Sequence, residues 1–143
     1  MSEATRPPFE VIEHPSDVGI RVYGDDVPEL FEHAALGLCS LSTDLEAVTG
    51  RAEWPITATA PDRDSLLVAW LSEILWLMET EGLLFCSFAI DSFTGTAVNA
   101  TGHGEPADPA RHPRGNSIKA VTYHQLAIRP HQSGWITNII FDV

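Results

Sequence analysis

The chain is poor in lysine. Lys119 is its only one, and every other strong cation is an arginine. Cations are scarce altogether: 8 Lys+Arg stand against 20 Asp+Glu, for a net charge of −12. That balance excludes a nucleic-acid binder that works through a broad basic face. It suits instead a protein that meets a basic partner surface. An acid-rich surface suited to a salty cytoplasm has the same composition. Cysteine is also scarce. Cys39 and Cys86 lie far apart, inside apolar segments and without metal-ligand spacing, which predicts free buried thiols and a reducing compartment. No Gly-rich phosphate loop, Ser or Cys nucleophile motif or zinc spacing is present. The opening residues lack the apolar run of a signal peptide. The most apolar stretch, residues 66–78, contains Glu73 and is too short to span a bilayer. The expectation is a cytoplasmic protein.

What is present predicts one domain of 143 residues, with residues 1–8 as a frayed lead. Strands are expected at 9–13 and 18–23, broken by His14-Pro15-Ser16-Asp17. A helix should start at an Asp26 cap with Pro28 in its first turn and end near Thr43. A strand over 51–60 contains Pro55 and so belongs at a sheet edge. A second helix follows, capped by Asp62 or Asp64, with a wide apolar face running from Leu66 to Met78 and a stop at Gly82. Trp70 and Trp76 are read as core residues of that helix. A hairpin over 83–93 and 96–102 turns at Thr94-Gly95, and a long loop spans 102–116. Residues 117–129 alternate and predict one central strand, with Pro130 to Gly134 turning into a last strand over 135–143. The fold class is therefore α+β: a two-layer sandwich of mainly antiparallel sheet packed with two helices.

The candidate chemistry lies at the ends of strands. Of the six histidines, His124 shares a face with Leu126 and Ile128 and is expected to be a core residue; the others are scattered. Asp17 fits a turn-capping role. Asp142 follows the apolar run Ile139-Ile140-Phe141 and places a carboxylate beside the α-carboxylate of Val143. Clustered carboxylates repel unless a cation sits among them, either a divalent ion or an ammonium. Lys119 can supply the ammonium if its strand pairs with the last one, which the short connection favours. One register slip would undo that geometry. Alternatively, Lys119 simply snorkels to water from a strand end.

Five stretches together resemble the archease family: HPSDVGI from His14, LFEHAALGLCSLSTD, SLLVAWLSEILWLMETEGLLF, IKAVTYHQL and the terminal IIFDV. Their order matches along nearly the whole chain, and the loop DPARHPRGN ahead of Ser117 also resembles the family pattern. One departure is local: the family usually has His-Thr-Ala-Asp where this chain has His14-Pro15-Ser16-Asp17. The resemblance implies an accessory protein with no catalytic residues of its own. Its partner would be an RtcB-type RNA ligase, which joins cyclic-phosphate or 3′-phosphate ends to 5′-hydroxyl ends with GTP and manganese. The accessory protein promotes guanylylation and multiple turnover of the ligase, and it meets RNA indirectly, through that partner. The resemblance maps the residues essential for this activation onto Asp17, Lys119 and Asp142. It also implies a divalent metal ion (calcium, magnesium or manganese) held by Asp17, Asp142 and Val143. Two rival readings stand beside this one. The first is a chaperone or specificity modulator of a tRNA-modifying enzyme such as a tRNA methyltransferase. The second is a metal-dependent hydrolase, for which no general base is evident.

Overall fold

The structure is a computed structural model that describes residues 7–13 and 17–143; the expected break at His14 to Ser16 lies outside the described residues. Eight strands and two helices follow in the order β1 (Phe9–Glu13), β2 (Val18–Gly24), α1 (Val27–Ser42), β3 (Ala52–Thr59), α2 (Arg63–Thr80), β4 (Leu83–Phe93), β5 (Ala97–Pro106), β6 (Ala120–Val121), β7 (Arg129–His131) and β8 (Gly134–Asp142). A short 3-10 turn, Leu45–Ala47, follows α1. The α+β expectation is met, with the antiparallel strands divided between two sheets. One runs β1-β2-β8-β6, with β7 also paired to β8; the other runs β3-β5-β4.

Helix α1 starts where Asp26 accepts a hydrogen bond from the Glu29 amide at 2.8 Å, and the Glu29 carboxylate in turn accepts from the Asp25 amide at 2.7 Å. These bonds satisfy amides that the helix cannot pair internally and place acidic charge at its positive end. Helix α2 starts in the same way, with Asp62 accepting from the Ser65 amide at 2.8 Å. It stops at Glu81, followed by Gly82 at φ +66°, the left-handed exit that glycine makes cheaply. Pro55 lies in β3, which pairs only with β5, so its missing N–H removes no ladder bond. Close approach fixes one glycine: a Cβ on Gly104 would lie 1.9 Å from the Leu84 carbonyl oxygen of the neighbouring strand.

The two helices join the sheets. Helix α1 packs on β2 and β4, and α2 packs on β3 and α1. Their contact is fixed by the Trp70 indole N–H, which donates to the Phe31 carbonyl at 2.9 Å. Phe31, Trp70, Leu71, Phe85 and Phe141 are fully buried. No helix among the described residues is long and apolar enough to cross a membrane.

Four expectations need correction. Residues 117–129 do not form one central strand. Only Ala120–Val121 and Arg129–His131 pair, both with β8, and β6 lies at the sheet edge. Between them the chain turns outward: Thr122 Oγ1 accepts from the His124 amide at 3.2 Å, Leu126 N–H donates to the Tyr123 carbonyl at 3.1 Å, and Gln125 takes φ 59°. Thr122 still bonds β8, its amide and its hydroxyl both donating to the Ile140 carbonyl at 3.0 Å, and the chain leaves the sheet after it. His124 is consequently exposed, not in the core. Trp76 is 51% exposed as well, because the apolar stripe of α2 is wide but does not encircle the helix. β5 also runs on to Pro106, shortening the expected loop.

Leu71→Ala should therefore lower stability by about 2–5 kcal/mol. Trp76→Ala, five positions on, should change it by about 0.5 kcal/mol or less. Urea unfolding followed by circular dichroism measures both. Equal losses would contradict this division of the helix.

Candidate functional site

The pairing of β2 with β8 matches Val18 to Phe141, and that register continued by one residue sets Asp17 opposite Asp142. Directly opposed residues of antiparallel strands share a face, with their Cβ atoms about 4.5–5.5 Å apart. On the other side of β8, Ala120 pairs with Asp142. The Lys119 N–H donates to the Asp142 carbonyl at 2.7 Å. Three residues remote in sequence thus meet at one end of three adjacent strands. Asp142, Val143 and Lys119 are exposed, and Asp17 is partly buried.

This end of the sheet offers hard oxygen donors, the type that calcium, magnesium and manganese prefer over nitrogen or sulfur. Two side-chain carboxylates are available, and they occupy facing positions. Among the described residues, no group of three or more His, Cys, Asp or Glu side chains could hold a metal. A full ligand set here would need a further donor, such as a terminal carboxylate or water.

The cysteines supply no nucleophile. Burial pushes the Cys39 thiol up to about 12 and raises that of Cys86 too. Both are free, as expected, although Cys86 is only partly buried.

A second cluster went unread in the sequence. Glu105, 3% exposed, ends β5 inside the core margin. Its Oε2 accepts from the Thr49 amide at 2.8 Å and from Arg111 Nη2, and lies 3.0 Å from His112 Nε2. The Asp108 amide donates to His112 Nδ1 at 2.8 Å. Nδ1 is therefore the bare nitrogen, and Nε2 carries the hydrogen given to Glu105. Arg51 Nε stands 3.8 Å from the other carboxylate oxygen. The only signal in the sequence was the loop of His and Arg after β5; nothing in the spacing named Glu105 as its acceptor.

The Thr49 amide, then His112 and Arg111, hold the Glu105 carboxyl at about 2, below its ordinary 4.5, although burial opposes them. A lowered carboxyl pKa stabilises the fold above its unfolded value, and that stability is lost as pH falls through the folded value. Stability should accordingly drop as pH goes from 4.5 toward 2, and Glu105→Gln should flatten that part of the curve. Urea midpoints across this range measure it; an unchanged slope in the variant would contradict the assignment.

Residues 9–143 match the model of the archease protein family. The protein archease of Methanosarcina mazei is 37% identical over 139 residues, covering 94% of this chain and 95% of that one. The protein archease of Methanopyrus kandleri is also 37% identical, over 95% of this chain and 99% of its own. Among solved structures, Methanobacterium thermoautotrophicum protein 1598 superposes with a TM-score of 0.82 at 33% identity, covering 95% of this chain and 99% of that one. The Thermotoga maritima protein, described as an archease and possible chaperone, shares the fold at a TM-score of 0.66 and 20% identity over 99% of this chain and all of its own. With the family pattern matched along nearly its whole length, the chain belongs to the archease family.

Proposed function

We propose that this chain activates an RtcB-type RNA ligase, promoting guanylylation of the ligase and its repeated turnover. The observation that carries this reading is the convergence of Asp17, Lys119 and Asp142 at one sheet end. In this reading Asp17, Asp142 and the Val143 carboxylate hold a divalent ion, which supplies positive charge beside phosphate oxygens. Lys119 is a compact ammonium with three donors. It balances the carboxylates and contacts a phosphate of the nucleotide or an acidic group of the ligase. The tip enters the ligase active site and reorders the groups around the histidine that receives the nucleotide. The net charge of −12 complements a basic, RNA-binding ligase surface and speeds encounter.

A second reading makes the chain a chaperone or specificity modulator of a tRNA-modifying enzyme. The description of the Thermotoga maritima relative as a possible chaperone favours it.

The test is multiple-turnover ligation by an RtcB-type ligase with GTP, Mn²⁺ and RNA bearing cyclic-phosphate and 5′-hydroxyl ends. With substoichiometric amounts of this protein, turnover should exceed one product per ligase. Asp17→Asn, Lys119→Ala and Asp142→Asn should each abolish that gain while circular dichroism stays unchanged. Full stimulation by all three variants would sink the site, and no effect of the wild type would favour the chaperone reading.

A further inference from the structure

Lys119 is delivered to the tip by an irregular strap, residues 107–119, whose first residue donates its amide to the Gly82 carbonyl at 2.8 Å. Its later half borders an open groove of about 560 Å³, lined by Leu75, Met78 and Leu83 together with Arg114, Ser117 and Ile118. A segment that borders an open groove has fewer packing partners on that side. Its position therefore rests on hydrogen bonds and on the buried Ile118 that precedes Lys119.

Those bonds form two groups. The strap's middle is tied to the end of α1: Thr43 Oγ1 donates to the Pro113 carbonyl at 2.7 Å, the Gly115 amide to Ser42 at 3.0 Å, and the Asn116 amide to Leu41 at 2.7 Å. Its start is folded on itself and onto β5. The Asp108 carbonyl accepts from the Arg111 and His112 amides, and His112 and Arg111 reach the Glu105 carboxylate. The same carboxylate accepts from Thr49, in the segment that leaves α1. Glu105 is thus the point where the end of β5, the chain after α1 and the start of the strap converge. The strap's middle is in turn tied back to α1 through Thr43. A charged group this deeply buried is costly unless its bonds are made, and here they are made to two separate stretches, Thr49 with Arg51 and Arg111 with His112.

We propose that Glu105 and His112 are positioning residues for Lys119: a buried latch that sets the course of the strap and so the place of the ammonium at the tip. The effect on ligase activation rests on the function proposed above; the effect on the strap does not. His112 serves with both ring nitrogens. Nδ1 accepts from Asp108 and keeps the turn closed, and Nε2–H binds Glu105. A glutamine at this position places an N–H donor near the site of Nε2 but offers nothing at Nδ1. An alanine removes both.

The experiment is amide hydrogen exchange at Lys119, whose N–H bonds Asp142, with the Ile20 amide in the core of β2 as internal reference. In His112→Ala and Glu105→Gln, Lys119 should exchange about tenfold faster or more relative to Ile20, the pattern of a local opening. His112→Gln should recover most of the protection. Stimulation of the ligase should fall in the same order, whereas a wild type that stimulates nothing would remove the functional reading and leave the exchange result standing. If His112→Ala fails to fold, Glu105→Gln and His112→Gln carry the comparison. Unchanged protection at Lys119 in Glu105→Gln, or loss of it in step with Ile20, would overturn the latch.

Discussion

The antiparallel pairing of β2 with β8 brings residues 18–24 beside residues 135–141, near the two ends of the chain. Its seven matched pairs fix a register in which a shift of one residue would turn every side chain to the other face. A slip of β2 would expose Ile20 and Val22, and a slip of β8 would expose Ile139 and Phe141, all fully buried in the core. Burial of a large apolar side chain is worth about 1.5–3 kcal/mol, so several such losses would match the total stability of a typical domain. The apolar core therefore sets the register, and the register places Asp17 against Asp142. The tip inherits its geometry from packing it takes no part in.

The third participant arrives by a different physical route. Lys119 stands at the start of a two-residue edge strand, too short to hold itself. It is set by the bond from its own amide to Asp142, by Ile118 in the core, and by the ties that run back to α1 and Glu105. Apolar packing fixes the carboxylates, and a buried polar network governs the lysine. The two parts of the site consequently answer to different perturbations. Acid or loss of a buried hydrogen bond acts on the strap, whereas a core cavity acts on the whole sheet.

Both helices, their aspartate caps, the edge position of β3 and the β4–β5 hairpin were legible in the sequence, because each has a local chemical cause. Proline and glycine, cap side chains and apolar spacing act within a few residues. The alternation from Ser117 to Arg129 is genuine at Ile118 and Ile128, both buried, while the turn from Tyr123 to Leu126, with Gln125 at positive φ, breaks the ladder between them. Such a turn leaves no periodic trace. Trp76 was misassigned for a related reason: a wide apolar stripe hides where the helix turns to water. At the tip, the nearness of Lys119 to Asp142 followed from the apolar run before Asp142 and the short connection into β8, whereas Asp17 was tied to them only by the family resemblance. Glu105 was invisible because its partners come from Thr49 and His112, segments that only the folded chain brings together.

In the proposed function the carboxylates of Asp17, just ahead of β2, and Asp142, at the end of β8, are completed by Val143 as a site for a hard divalent ion beside Lys119. The direct measurement is a titration of the protein with Mn²⁺, followed by paramagnetic broadening of its backbone amide resonances. A site at the tip requires that Asp17, Lys119, Asp142 and Val143 broaden first and together, and that Asp142→Asn removes the effect. Broadening that begins elsewhere on this acidic surface, or that survives Asp142→Asn unchanged, would contradict it.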